Sequence, residues 1–204
     1  MKVGSTREQV EQAVAQFSGE AFTTRTLMRM LPGRSRAVID KNLSRLAASG
    51  QLKRIDRGLY ARAVQHPILG PIYPGADAVA NALSRDEAMG PIPSGSTALH
   101  AIGLSEQVPN RLVFYTSGAS RQVTFNGQTV EMKHVSPSRL RVTNPKIGTV
   151  IEALRELGQK RVNRETLVRL HDALTSPERT LLVDSIPDAP VWMQAALRQI
   201  AGLV

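Results

Sequence analysis

The sequence contains no cysteine, so disulfides and metal sites built on thiolates are excluded. It also lacks any run close to the roughly 18 apolar residues that a membrane span needs. The first residues, Met1 to Ser5, lead into a polar helix and not into the apolar centre of a signal peptide. Hydrophobic residues make up 42% of the chain, which is enough for packed cores. We therefore expect a soluble, cytoplasmic protein that does not bind membranes.

The patterns of common catalytic sites are also missing. The four histidines show no metal-ligand spacing and no Ser-His-Asp arrangement accompanies them; they are His66, His100, His134 and His171. Gly95-Ser96 resembles the Gly-Ser turn of nucleotidyltransferases. However, no aspartate lies between Asp86 and Asp172 to hold the metal of such an enzyme.

A nuclease signature is matched only at its end, by Glu131 and Lys133. Glu106 is the only carboxylate between Glu87 and Glu131, so the converging acids of a nuclease are not evident. Alternating charges on an exposed strand face explain the pair better. We expect a protein that is not an enzyme, with no catalytic residues, no metal site and no cofactor.

Charge is distributed unevenly along the 204 residues. Residues 1–63 contain 12 Lys or Arg and 5 Asp or Glu, whereas residues 64–204 contain 14 and 12. A compact basic module gains affinity for DNA by releasing counterions from the phosphates. The length suits a small domain followed by a medium one. We therefore predict a DNA-binding domain over 1–63 and a second domain over 64–204.

Three helical patterns and a hairpin fill the first domain. Apolar residues recur at helical spacing around Val10, Leu27 and Leu43, and Ser35 is placed to cap the third helix. After Gly50 the period becomes that of strands on both sides of Asp56-Arg57-Gly58. Three helices followed by a basic hairpin predict a winged helix-turn-helix.

In a winged helix the third helix enters the major groove and the hairpin follows the DNA backbone. Arg36, near the helix start, is placed to reach a guanine edge, and the other cations suit phosphates. The predicted DNA-binding residues are Arg34, Ser35, Arg36, Lys41, Ser44, Arg45, Lys53, Arg54 and Arg57. The alternative is a winged helix that serves as a protein-interaction module, because a fold does not fix a function.

The second domain begins with a connector predicted over residues 65–75, which contain three prolines. A helix follows from about Asp77, then a strand over 111–116, a hairpin turning at Asn126-Gly127, a strand over 139–142 and helical patterns from Ile147 onward. This is an α+β domain with a small antiparallel sheet between helical layers and with C-terminal helices. Ser94 to Thr97 is expected to form a helix cap in preference to a phosphate site.

A local surplus of basic residues marks the middle of the second domain. It forms a candidate second basic face of Arg121, Lys133, Arg139 and Arg141. Such a face is open to three interpretations: contacts to phosphates, a surface for a toxin or RNA, or a solvated sheet face.

Several motifs then resemble a known family, over roughly residues 20–145. They are Arg57-Gly58-Leu59-Tyr60, Pro93-Ser94-Gly95-Ser96-Thr97-Ala98-Leu99-His100, Gly103-Leu104-Ser105-Glu106-Gln107-Val108-Pro109 and Tyr115-Thr116-Ser117-Gly118. Together they resemble the AbiEi-type antitoxins of type IV toxin–antitoxin pairs, which are linked to abortive infection.

The resemblance implies a transcriptional repressor that binds double-stranded DNA at its own promoter through the winged helix. It further implies a second domain that opposes a cognate nucleotidyltransferase-like toxin without needing a stable complex with it. The alternative is a stand-alone winged-helix regulator whose second domain senses a ligand. A deep pocket near Ser94 to Thr97 would favour that alternative.

Overall fold

The computed structural model describes residues 5–87, 90–142 and 144–203. The chain forms two compact units. Unit 1 runs to Asp86 and includes Val123–Asn126, and unit 2 comprises Glu87–Gln122 and the chain from Gly127 onward. Both combine helices with small sheets, so the fold is α+β. Among the described residues, no helix has the length and apolar character needed to cross a bilayer.

Unit 1 is built from short helices and two small sheets. Its elements are α1 (Thr6–Ala15), β1 (Ala21–Thr23), α2 (Thr24–Met30), α3 (Arg36–Ala48), β2 (Lys53–Asp56), β3 (Leu59–Ala61), β4 (Val64–His66), β5 (Gly70–Ile72) and α4 (Ala76–Ser84). The first sheet has the order β1-β3-β2, and β3 is antiparallel to both neighbours. The second sheet is the antiparallel pair β4-β5.

The core of unit 1 forms where the helical spacing of the sequence predicts it. Val10, Leu27, Ile39 and Leu43 are fully buried in one apolar cluster, and Phe22 joins them from β1. The apolar faces of the helices are removed from water only when the helices pack together. This burial of apolar surface stabilises the arrangement.

The connector predicted over 65–75 is wrong, because β4 and β5 form a hairpin there. In this hairpin Pro71 pairs with Gln65. Because the sheet has only two strands, both are edge strands, and an edge strand tolerates a proline. The boundary also differs from the predicted 63/64 division. Helix α4 packs against β1 and its Val79 and Ala80 are fully buried, which places residues up to Asp86 in unit 1.

Unit 2 contains a sheet followed by a helical bundle. Its elements are β6 (Ile92–Pro93), α5 (Ser96–Ala101), β7 (Arg111–Thr116), β8 (Arg121–Phe125, shared with unit 1), β9 (Gln128–His134), α6 (Pro145–Leu157), α7 (Arg164–Asp172), α8 (Ser176–Ser185) and α9 (Val191–Ala201). Single 3-10 turns span Pro137–Leu140 and Gln159–Arg161.

The larger sheet has the order β6-β7-β9-β8 and is mixed. Strand β6 is antiparallel to β7, whereas β9 is parallel to β7, so the predicted antiparallel sheet is only part of the arrangement. The hairpin turn that the sequence predicts between β8 and β9 is present, with positive φ at both Asn126 and Gly127. The turn connects β8 to β9, and β9 lies between β7 and β8 in the sheet and runs parallel to β7.

Two local expectations for unit 2 are wrong. The strand predicted over 139–142 is replaced by the 3-10 turn Pro137–Leu140, which begins with a proline that suits a helical first turn. Helix α5 has no side-chain cap, since Thr97 instead accepts a hydrogen bond from the Val113 backbone N–H at 2.8 Å. Thr97 thereby ties α5 to the β7 strand.

Candidate nucleic-acid interface

The α2-turn-α3 segment of unit 1 is fixed by its helix caps. The Thr23 hydroxyl accepts from the Thr26 N–H at 3.1 Å, and the Ser35 hydroxyl accepts from the Val38 N–H at 3.4 Å. Gly33 in the intervening turn has φ +84°, a conformation that other residues rarely adopt. The caps and this turn define where α2 ends and α3 begins.

Helix α3 has one buried and one exposed face. Ile39, Leu43 and Leu46 face the core together with the buried Asn42. The exposed face has cations, small side chains and one larger apolar residue, and consists of Arg36, Ala37, Val38, Lys41, Ser44, Arg45 and Ala48. Small residues let a helix approach the floor of a groove while flanking cations reach the phosphates.

Thr24 joins three parts of this region. Its backbone N–H donates to the Gly58 carbonyl at 2.9 Å, and its hydroxyl donates to the Asp40 carboxylate at 3.1 Å. The start of α2, the turn of the β2–β3 hairpin and the middle of α3 are thereby connected through the backbone and side chain of one buried residue. The hairpin turn is therefore held in a fixed position relative to α3.

Arg36 lies along the exposed surface of α3. Its Nε donates to the second Asp40 oxygen at 3.4 Å, and 65% of its side chain is exposed. An exposed pair of this kind stabilises a protein by only about 0.3–0.5 kcal/mol. Arg36 can therefore leave Asp40 for a base edge or a phosphate at little cost.

Most of the other predicted contact residues are also exposed on α3 or the hairpin. Lys41 and Arg45 have no ion-pair partner within the part of the chain that the structure describes. Arg54 donates through Nε to the Asp56 carbonyl at 3.4 Å, and the Arg57 backbone N–H donates to the Asp56 carboxylate at 2.7 Å. Asp56 thus shapes the hairpin that presents both arginines.

Lys53 is held away from this surface. Its ammonium donates to the Asn126 side-chain carbonyl at 2.9 Å and lies 4.9 Å from the ring centres of both Tyr73 and Phe125. Contacts of a cation with two aromatic faces stabilise that position. These contacts of Lys53 could not be predicted from its place on the strand, because its partners are distant in the sequence.

Arg34 also has a partner inside unit 1. Its guanidinium donates from Nε and Nη2 to the Gln9 side chain, at 3.2 and 2.9 Å. Arg34 therefore ties the turn before α3 to α1, and it is only partly exposed.

Two cations on α2 were not predicted as contacts. Arg25 and Arg29 are four residues apart and share Asp86, with side-chain exposures of 79% and 53%. Residues four apart lie on the same side of a helix, so both exposed guanidiniums are on one face of α2. Their spacing of four residues, one helical turn, was the sequence signal that could have identified them.

The candidate second basic face in unit 2 consists of residues in different environments. Lys133 on β9 and Arg141 are exposed, whereas Arg121 on β8 is half-buried. Arg139 donates to the buried Glu152 carboxylate at 3.0 and 3.3 Å and lies 4.6 Å from the Tyr115 ring centre. Hydrogen bonding to Glu152 raises the pKa of Arg139, against the opposing effect of burial.

Four glutamates of unit 2 serve as ion-pair partners, namely Glu131, Glu152, Glu165 and Glu178. Arg111 binds Glu131, one of the two residues that matched a nuclease signature. Within the described residues, no group of three or more His, Asp or Glu could hold a metal ion.

Residues 29–182 match the model of a family described as a family of unknown function (DUF6088). Among solved structures, the chain is similar to the crystal structure of the RV2827C protein from Mycobacterium tuberculosis. The identity is 15% and the TM-score 0.46, over 97% of this chain and 80% of that chain. No curated protein matches the chain.

Proposed function

We propose a function for this chain, which belongs to DUF6088, a family of unknown function: unit 1 is a winged helix that binds double-stranded DNA. The element order of its first part supports this, since helix, strand, helix, helix and two strands follow one another, with the sheet order β1-β3-β2. Helix α3 is the recognition helix and the β2–β3 hairpin is the wing.

The observation that carries the proposal is the exposed face of α3, which the Thr24 contacts hold together with the hairpin turn. Lys41 and Arg45 lie on this face and Arg54 and Arg57 on the hairpin, all exposed. Two cationic elements in a fixed geometry match the contacts of a duplex, in which one element enters the groove and the other follows the backbone.

We further propose that the chain is an AbiEi-like antitoxin. The support is the set of sequence motifs in both parts of the chain, from Arg57-Gly58-Leu59-Tyr60 to Tyr115-Thr116-Ser117-Gly118. On this proposal the chain represses its own operon, and unit 2 opposes a nucleotidyltransferase-like toxin encoded beside it.

DNA binding is tested with the full chain and the DNA upstream of its own gene. A gel-shift titration should show preference for that duplex over a random one, and the affinity should fall steeply as salt rises. Lys41→Gln with Arg45→Gln should abolish the shift, whereas Lys160→Gln, on a 3-10 turn of unit 2, should not. Equal binding to both duplexes would contradict the repressor proposal.

The antitoxin proposal has its own test. The neighbouring gene for a nucleotidyltransferase-like protein is expressed in cells with and without this chain. Growth should stop without the chain and resume with it. The absence of such a gene, or growth arrest that the chain does not relieve, would contradict the proposal.

A second candidate function is a stand-alone regulator whose second domain senses a ligand. One observation favours it, namely a cavity in unit 2 lined by Ser94, Gly95 and Ser96. Loops that line cavities are common positions for ligand recognition.

A further inference from the structure

The cavity of unit 2 lies between the loop before α5, the face of the sheet and one side of α6. Its volume is about 220 Å³. Typical sites for drug-sized ligands measure about 300–1,000 Å³, so the occupant of this cavity must be small. The chemistry of the walls then decides what kind of small molecule fits.

Ser94 supplies the most specific sign that the cavity binds a ligand. The residue is only 3% exposed, and among the described residues its hydroxyl has no hydrogen-bond partner. Since Ser94 lines the cavity, this hydroxyl reaches open space there. The Ser94 hydroxyl is not one of the fully buried groups without a partner, and in the open cavity it is available to donate to a bound molecule.

Cations surround the same space. Lys133 lies opposite Tyr115 in the parallel register of β9 and β7, and both line the cavity. Lys133 has no ion-pair partner within the described part of the chain. Arg139 and Arg155 also line the cavity, and both donate to the buried carboxylate of Glu152.

The charges of these side chains do not cancel around the cavity. Glu152 is shared by two arginines, so this cluster of three side chains retains one positive charge. Lys133 adds a second and the Glu156 carboxylate offsets one, which leaves the walls with a net charge of one positive unit. The hydroxyls of Ser94, Ser96 and Tyr115 are further donors on the walls. Donors and cations that converge on a small space suit an oxyanion, because charge-assisted hydrogen bonds to oxygen are the strongest polar contacts.

Glu156 is the exception on the walls. Its carboxylate lines the cavity near Gly95 and, unlike Glu152, has no ion-pair partner among the described residues. A ligand with a hydrogen-bond donor beside its oxyanion would satisfy this carboxylate.

We propose that this cavity binds a small molecule that carries a phosphate or carboxylate group. The oxyanion contacts Lys133, Arg155 and the Ser94 hydroxyl. This inference deepens the ligand-sensing candidate function. Ligand binding is measured without DNA, so a negative result in this test does not affect the DNA-binding proposal.

The test is isothermal titration of the full chain with inorganic phosphate and, separately, with L-aspartate, at constant ionic strength in chloride. At least one probe should bind saturably below about 10 mM. Lys133→Gln and Ser94→Ala should each weaken that binding by about tenfold or more, since each removes a direct donor. Glu156→Gln should strengthen phosphate binding and weaken L-aspartate binding, which distinguishes the two sources of the oxyanion.

Two controls match these variants. Ser84→Ala likewise removes a serine hydroxyl, which is buried with no partner among the described residues, but Ser84 lies on α4 in unit 1. Lys160→Gln removes an exposed lysine of unit 2 that does not line the cavity. Both should bind the probe as the unaltered chain does. Failure of both probes to saturate, or equal binding by Ser94→Ala and Ser84→Ala, overturns the proposal.

Discussion

Two arginines of unit 1 are expected to act differently on DNA. Arg36 is exposed at the start of α3 and Arg57 at the hairpin turn. On the proposed function, Arg36 contacts a base edge and Arg57 a phosphate. Arg36→Ala should lower the preference for the specific duplex, since a bidentate base contact contributes about 1–3 kcal/mol of discrimination. Arg57→Ala should weaken all duplexes alike and reduce the salt slope by about one.

Fluorescence anisotropy with the promoter duplex and a scrambled duplex, each over a salt series, separates these two effects. Loss of Asp40 pairing in Arg36→Ala is not a concern for folding, because exposed pairs of this kind contribute little. Identical behaviour of the two variants would contradict the assignment of α3 as recognition helix and of β2–β3 as wing.

Two buried hydroxyls should have opposite effects on stability. The Ser84 hydroxyl is buried and finds no partner in the part of the chain that the structure describes. Ser84→Ala should therefore leave the free energy of unfolding unchanged or raise it by up to about 1 kcal/mol. Thr97→Val should lower it by about 1–3 kcal/mol, because the Val113 N–H loses its acceptor. Urea unfolding measures both. A clear destabilisation by Ser84→Ala would show that its hydroxyl has a partner.

At the scale of elements, the start of α8 should respond to pH. The pKa of Glu178 lies below its ordinary value of 4.5, first because the Thr175 backbone N–H donates to the carboxylate. The Thr175 hydroxyl and the Lys146 ammonium also donate to it, at 2.8 and 3.3 Å, and outweigh the opposing effect of burial. A carboxyl with a lowered pKa in the folded state stabilises that state when ionised.

This contribution is fully present above the pKa of the unfolded chain and is lost as the pH falls through the lower folded pKa. The difference in unfolding free energy between the unaltered chain and Glu178→Gln should therefore be constant from about pH 8 to 6 and shrink below about pH 4.5. Glu165→Gln is the control, because Glu165 forms an exposed pair with Arg169 on α7 and its pair is not part of a helix cap. A difference that grows in acid would contradict this explanation.

Helices were the easier elements to predict from sequence. Ser35 and the spacing of Ile39, Leu43 and Leu46 are local signals, and α3 begins and buries its face as they predict. The β4–β5 hairpin was missed because its prolines favour an extended connector, and only cross-strand pairing distinguishes the two. The parallel pairing of β9 with β7 likewise depends on strand order, which local patterns do not encode.

At the scale of the whole molecule, sequence patterns predicted which cations are exposed. They did not predict which distant residues a cation contacts. Lys41 and Arg45 are exposed as the helical period predicts. Lys53 is not available in the same way, since Tyr73, Phe125 and Asn126 surround it, and these lie far along the chain. Long-range contacts of this kind follow from the assembled fold and have no signal at the spacing of helices or strands.

The division of the chain into units also determines how the two proposed activities can be separated. Helix α4 packs on β1, so a fragment of residues 64–204 would separate a buried helix from its partner. Arg139→Glu would place a second carboxylate beside the buried Glu152 and would test folding more than function. Substitutions of exposed residues in the full chain avoid both problems.

We therefore predict that Lys41→Glu with Arg45→Glu abolishes repression of a promoter reporter but still protects cells from the toxin. Lys133→Glu with Arg141→Glu should do the reverse, because these exposed cations lie in unit 2, where we place the antitoxic activity. Each variant is expressed from an unrelated promoter, so that lost autorepression does not change its amount. Charge reversals at exposed positions usually alter stability little. Circular dichroism checks that each variant is folded. Protection that is lost together with repression in the folded Lys41→Glu, Arg45→Glu chain would mean that antitoxicity requires DNA binding, and the assignment of one activity to each unit would have to be abandoned.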